Sequence, residues 1–109
     1  MGNGFPGEFE QMVLLAILQQ GERAFGLEVR REIERSAERP VSRSAFYTTL
    51  ERLEAKGLVT WEETTPDDSR RSAPLRRFTV TPEGRSALGT AGRAWRTLWR
   101  GLDDLLDEA

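Results

Sequence analysis

The chain has 109 residues and a formal net charge of −2, and it contains neither cysteine nor histidine. That length suits one folding unit, and the missing residue types remove disulfides, the usual zinc sites, thiol nucleophiles and any imidazole base. Adjacent acids such as Asp67 and Asp68, or Asp103 and Asp104, do not face one another on a helix, so neither an enzyme nor a cofactor or metal site is expected.

The longest apolar run, Met12 to Leu18, is too short to span a membrane, and no basic segment precedes it as in a secretory signal. A cytoplasmic protein is the default expectation. The negative net charge argues against indiscriminate binding of polyanions, but the charges are unevenly spread. Arg70, Arg71, Arg76 and Arg77 cluster in one short stretch, while Asp103, Asp104, Asp107 and Glu108 gather near the other end, so a local basic patch fits on an acidic molecule.

After a glycine-rich leader, Met1 to Pro6, the stretch from Gly7 through "EFEQMVLLAILQQ" reads as a helix. Glu8 and Glu10 stand in its first turn, where the helix dipole favours acids, and Gly21 stops it. Between Met12 and Leu18 it is apolar all round, which calls for cover on more than one face. "GLEVRREIERSAER" gives a second helix, with Phe25, Val29 and Ile33 inward and Glu28, Arg31, Glu32 and Arg35 as a solvated face, ended by Pro40.

Ser42 is the expected N-cap of a third helix, "SAFYTTLERLEAKGLV". Phe46, Leu50 and Leu53 recur at the spacing of a core stripe, and Gly57 closes the segment. The opposite face opens with Ser44, Tyr47 and Thr48, short or flat hydrogen-bonding side chains where a solvated helix more often carries Lys and Glu. Singly, Ser44 reads as a cap or turn residue and Tyr47 as a rim contact of the core, and neither Tyr47 nor Thr48 is expected to belong to the apolar stripe.

Beyond Gly57 the period changes. "LVTWEETT" and "LRRFTV" are rich in β-branched and aromatic residues, and "PDDSRRSAP" joins them, which reads as a two-stranded hairpin with a mobile tip. Thr81-Pro82-Glu83 is then a strong helix start, and a last helix is expected from Pro82 to about Asp107. Its stripe, Leu88, Ala91, Trp95, Leu98, Trp99, Leu102, Leu105 and Leu106, stays on one side for almost three heptads. Gly89, Gly92 and Gly101 each cost such a helix about 1 kcal/mol relative to Ala, so packing against a partner must hold it.

Three helices, a hairpin and one more helix make a mainly α chain with a small β-hairpin, a winged helix-turn-helix over 7–80 followed by a C-terminal dimerisation helix over 81–109, in one folding unit. In such a domain the third helix enters the DNA major groove and the hairpin follows the neighbouring backbone. Arg43, Ser44, Tyr47 and Thr48 are the candidate contacts of the helix, and Arg70 and Arg71 those of the wing. A winged-helix interaction module that dimerises without binding DNA is the competing reading.

"SAFYTTLERLEAKGLV", a charged hairpin and "FTVTPEGRSAL", with "FEQMVLLAIL" and "AFGLEVRREIE" before them, resemble the PadR family of bacterial and archaeal transcriptional regulators. The resemblance runs from about Glu8 to Leu102 and implies a homodimeric repressor on an inverted-repeat operator in double-stranded DNA, released by a small-molecule or stress signal. It implies a dimer made by the single C-terminal helix against the other subunit's N-terminal region, so that Met12, Leu15, Leu88, Ala91, Trp95, Leu98, Trp99, Leu102 and Leu105 are the interface candidates. Trp95 and Trp99 are also candidates for a flat aromatic ligand cavity there, core packing being the plainer explanation. The wing tip "DDSRRSAP" departs from the family's common glycine-rich basic turn.

Overall fold

The computed structural model describes residues 5–65 and 74–107. Helices α1 (Glu8–Gln20), α2 (Gly26–Ala37) and α3 (Arg43–Ala55) are followed by strands β1 (Val59–Thr64) and β2 (Leu75–Val80), then by α4 (Pro82–Trp99) and α5 (Asp103–Asp107). A short 3-10 turn, Gly21–Arg23, links α1 to α2.

Each start has a local cause. Ser42 Oγ accepts the Ala45 amide at 2.9 Å and Thr81 Oγ1 accepts the Gly84 amide at 3.0 Å, the N-cap bonds that satisfy orphan donors of α3 and α4. At α1 the Gly7 amide donates to Glu10 Oε1 at 2.9 Å, one half of a capping box. The second helix stops sooner than Pro40 would require, because Glu38 already adopts a left-handed backbone with φ of 56°. The turn into α3 is then held by Glu34, whose carboxylate accepts the Val41 amide at 2.8 Å.

The core is gathered around α1. Val13, Leu14 and Ile17 meet Val29 and Ile33 of α2, Phe46, Leu50 and Leu53 of α3, and Val59, Phe78 and Val80 of the hairpin. The expected inward stripes of α2 and α3 are buried as read, together with Thr49, which the spacing of Phe46, Leu50 and Leu53 did not single out. The hairpin is antiparallel, with Trp61 opposite Phe78 and Glu63 opposite Arg76. A bridge between Phe25 and Arg77, with the Phe78 amide donated to Ala24 O at 2.9 Å, ties β2 to the segment before α2.

One pair joins distant parts of the chain. The Lys56 ammonium, just past α3, donates to both carboxylate oxygens of buried Glu10 at 3.0 and 2.9 Å. Burial raises the Glu10 pKa, but Lys56 and the Gly7 amide outweigh it and hold the carboxyl below its ordinary value.

The C-terminal element differs from the single helix expected over 82–107. It breaks after Trp99. Arg100, at φ −54° and ψ 124°, and Gly101, at φ 80°, turn the chain, and the Leu102 amide closes the turn on Trp99 O at 2.9 Å. These are the dihedrals of a type II turn, whose third residue needs positive φ and so favours glycine. The sequence cost expected of Gly101 within a helix is therefore avoided by leaving the helix, and the apolar stripe is divided between α4 and the short α5.

Candidate nucleic-acid interface

The inner face of α3 is locked into the core, which fixes what its outer face presents. Ser44 and Thr48 are exposed one turn apart, with Arg43 exposed beside them at the helix start. Ser44 and Thr48 are short hydroxyl side chains that donate and accept, and Arg43 adds donors only, a set that suits base edges or phosphates.

Tyr47 stands apart from them. It is half-buried and packed against the core, its ring edge-on to Phe46 with centroids 5.1 Å apart and planes at 78°. Its hydroxyl lies against the first residue of α2: a Cβ on Gly26 would come within 2.2 Å of Tyr47 Oη, so only glycine leaves room for the phenol. Tyr47 is thus the rim contact of the core that it was read as singly, and the expectation that it takes no part in the apolar packing is corrected, since the ring reaches from the core to the first residue of α2. On its solvent side it carries the Arg43 guanidinium, 5.7 Å from the ring centroid.

Across from this row lies the hairpin. Alternation along the strands turns Phe78 and Arg76 of β2 to one face, with Trp61 and Glu63 of β1 opposite them. The Arg76 guanidinium sits 4.8 Å from the Trp61 ring centroid and 5.7 Å from that of Phe78. Arg77 points to the other face and pairs with Glu62. Between hairpin and helix runs a groove bordered by Arg43, Tyr47, Glu51, Glu54, Arg76 and Phe78. Arg76 and Trp61 were not among the candidates read from sequence. The alternation of 76 and 78 was visible there, but the register that sets Trp61 against Phe78 was not, because a loop of unknown geometry separates the strands. The wing candidates Arg70 and Arg71, with Asp67 and Asp68, lie outside the described residues.

A second surface is apolar. Leu15 is 50% exposed, Trp95 50% and Leu98 70%, and Leu18 and Trp99 are exposed as well. Leu15 and Leu18 of α1 and Leu88 and Trp95 of α4 border one groove of about 540 Å³. Met12 is half-buried on the edge of the core. Of the interface candidates, Leu88 and Ala91 are already buried within the protomer, so the uncovered part of the stripe begins at Trp95. It continues past the turn through Leu102, Leu105 and Leu106, all exposed. Trp95 and Trp99 are therefore not packed in the protomer's own core. No helix among the described residues is long and apolar enough to cross a membrane.

The model of the transcriptional regulator PadR-like family matches residues 14–90, from the first helix to the middle of α4. The fold is similar to that of a PadR family regulator from Eggerthella lenta, at 25% identity and a TM-score of 0.64, covering 94% of this chain and 88% of that one. It is similar to one from Clostridium difficile at 20% identity and a TM-score of 0.67, covering 90% and 98%. RosR of H. salinarum is also similar, at 20% identity and a TM-score of 0.69, covering 94% and 86%. A comparison with curated proteins found no match. With a winged helix-turn-helix, a C-terminal helix and a family match over most of its length, the chain belongs to the PadR-like family of transcriptional regulators.

Proposed function

We propose that the protein is a homodimeric, sequence-specific DNA-binding regulator, a repressor released from an inverted-repeat operator by a small-molecule or stress signal. The observation that carries this reading is the outer face of α3. Exposed Ser44 and Thr48, flanked by Arg43, occupy the N-terminal half of a helix whose other side is fixed in the core and whose neighbour is the hairpin. A helix held that way can seat in a major groove, with Ser44 and Thr48 at base edges and Arg43 at a phosphate or guanine. The Tyr47 phenol and the wing's Arg70 and Arg71 belong to the same reading as backbone contacts.

Exposure supports the dimer in this reading. The apolar residues of α1 and α4 named above, and those of α5, are costly to leave in water, and a second copy would cover both elements in one self-complementary contact. A two-fold dimer carries two recognition helices and reads half-sites one helical turn apart, about 34 Å. Trp95 and Trp99 on this surface offer flat apolar walls to an effector, which changes affinity only by preferring one dimer geometry over another.

The net charge of −2 and the carboxylates of Glu51 and Glu54 on α3 favour the second reading, a dimeric interaction module without DNA binding. Mobility shift of duplex DNA from upstream of the coding sequence, at two salt concentrations, separates the two. Retarded DNA whose binding weakens with salt supports the regulator, and a folded protein that retards no duplex at either salt supports the module.

A further inference from the structure

The groove between α3 and the hairpin has the same feature on both walls: an arginine laid on an aromatic ring. Arg43 lies over Tyr47 on the helix side and Arg76 over Trp61 and Phe78 on the hairpin side, and both line the one groove. A cation–π contact of this kind restrains a guanidinium beside its ring, and the fork of N–H donors can still grip two oxygens of one anion. Among the described residues neither arginine forms an ion pair, whereas Arg77, on the opposite face of the same strand, is paired with Glu62.

The acids of the groove narrow the choice of anion. Glu51 and Glu54 line it with the arginines, and Glu63 stands opposite Arg76 in the strand register. They would repel a free phosphate or nucleotide carrying two or more charges. A phosphodiester carries one charge and is delivered by the rest of a duplex already seated on α3, so it can meet the arginines without entering past the glutamates.

We propose that this groove binds a backbone phosphodiester of duplex DNA, with Arg43 and Arg76 as its two arms and Trp61 as the positioning residue for Arg76. The assignment rests on the DNA-binding reading and adds to it a contact on the paired strands of the hairpin, independent of Arg70 and Arg71. Trp61 is 37% exposed although it is large and apolar, and the assignment gives that exposure a purpose.

The test is equilibrium binding of the full chain to a labelled upstream duplex and to a random-sequence duplex over a salt series. Arg76→Gln is expected to weaken both about tenfold per protomer contact at low salt, about a hundredfold for a bound dimer, and to flatten the slope of log K against log salt by about 0.9 per protomer, about 1.8 for the dimer. Trp61→Leu is expected to reproduce the loss of slope, Trp61→Phe to restore it, and Trp61→Leu added to Arg76→Gln to cost little more. Glu51→Gln is expected to tighten binding to both duplexes. A wild-type chain that binds DNA while Arg76→Gln leaves affinity and slope unchanged overturns this site alone. A Trp61→Leu chain that melts lower yet keeps the wild-type slope overturns the positioning role. A folded wild-type chain that binds neither duplex overturns the DNA reading and the site with it.

Discussion

Thr48 and Tyr47 are neighbours on one helix but differ in what a substitution would reach. Thr48 is exposed, so Thr48→Ala is expected to leave the melting temperature unchanged and to weaken operator binding by about 1–3 kcal/mol, the scale of one specific contact. Tyr47→Ala would lower stability as well as affinity, because the ring packs on the core and on Phe46. Tyr47→Phe keeps the packing and isolates the phenol, and a loss of affinity without a loss of stability is the expected result. Gly26→Ala tests the same contact from the other side: its methyl displaces the phenol without altering α3, and weaker DNA binding is expected by titration with a labelled duplex. Phe46, with no exposed surface, should cost about 3–5 kcal/mol in urea denaturation when cut back to Ala. The core role of Phe46 was legible in its spacing from Leu50 and Leu53. The approach of the Tyr47 hydroxyl to Gly26 was not, because the space it fills is made by a glycine on another helix, and a contact between α2 and α3 leaves no mark on the periodicity of either.

At the scale of elements, the caps, strand composition and helix stripes located the starts of α1 to α4 and both strands, since those signals are local. The break after Trp99 was missed although Gly101 was noted, because a stripe of threes and fours reads on through a two-residue turn and only the backbone reveals the type II geometry. Gly101→Ala forces a side chain into positive φ, and a loss of about 1 kcal/mol or more is expected in urea denaturation. The Glu10 and Lys56 pair, which ties the start of α1 to the end of α3, was equally hidden, the partners being far apart in the chain. Because the folded-state pKa of Glu10 is depressed, its contribution is complete above the unfolded-state value of about 4.3 and is lost as pH falls through the folded-state value. Glu10→Gln is expected to cost about 1 kcal/mol at neutral pH, a low figure because Lys56 is half-exposed, and its deficit should shrink in acid. Denaturation midpoints of both proteins at neutral and acid pH check this, and a deficit independent of pH would assign the pair no ionic part.

For the whole molecule, the proposed function makes the exposed apolar surfaces of α1, α4 and α5 and the polar face of α3 parts of one device, a dimer that would set the distance between two recognition helices. That α1 and the last stripe leave apolar surface exposed was legible, because a helix apolar all round and a stripe too long for one small domain both call for cover from outside. Which residues remain uncovered was not, since Leu88 and Ala91 are used up within the protomer and only three-dimensional packing distinguishes them from Leu98. Leu98→Glu together with Leu102→Glu is expected to give a folded monomer by sedimentation, with operator binding lost although α3 is untouched. A dimer that survives both changes and still binds would move the interface elsewhere. The most direct measurement for the whole account is equilibrium binding of the intact protein to duplex DNA from its own upstream region over a salt series. Saturable binding with two protomers per site, tighter than to random duplex and weakening linearly in log K against log salt, is the expected result. A folded dimer that shows no binding at low salt would contradict it.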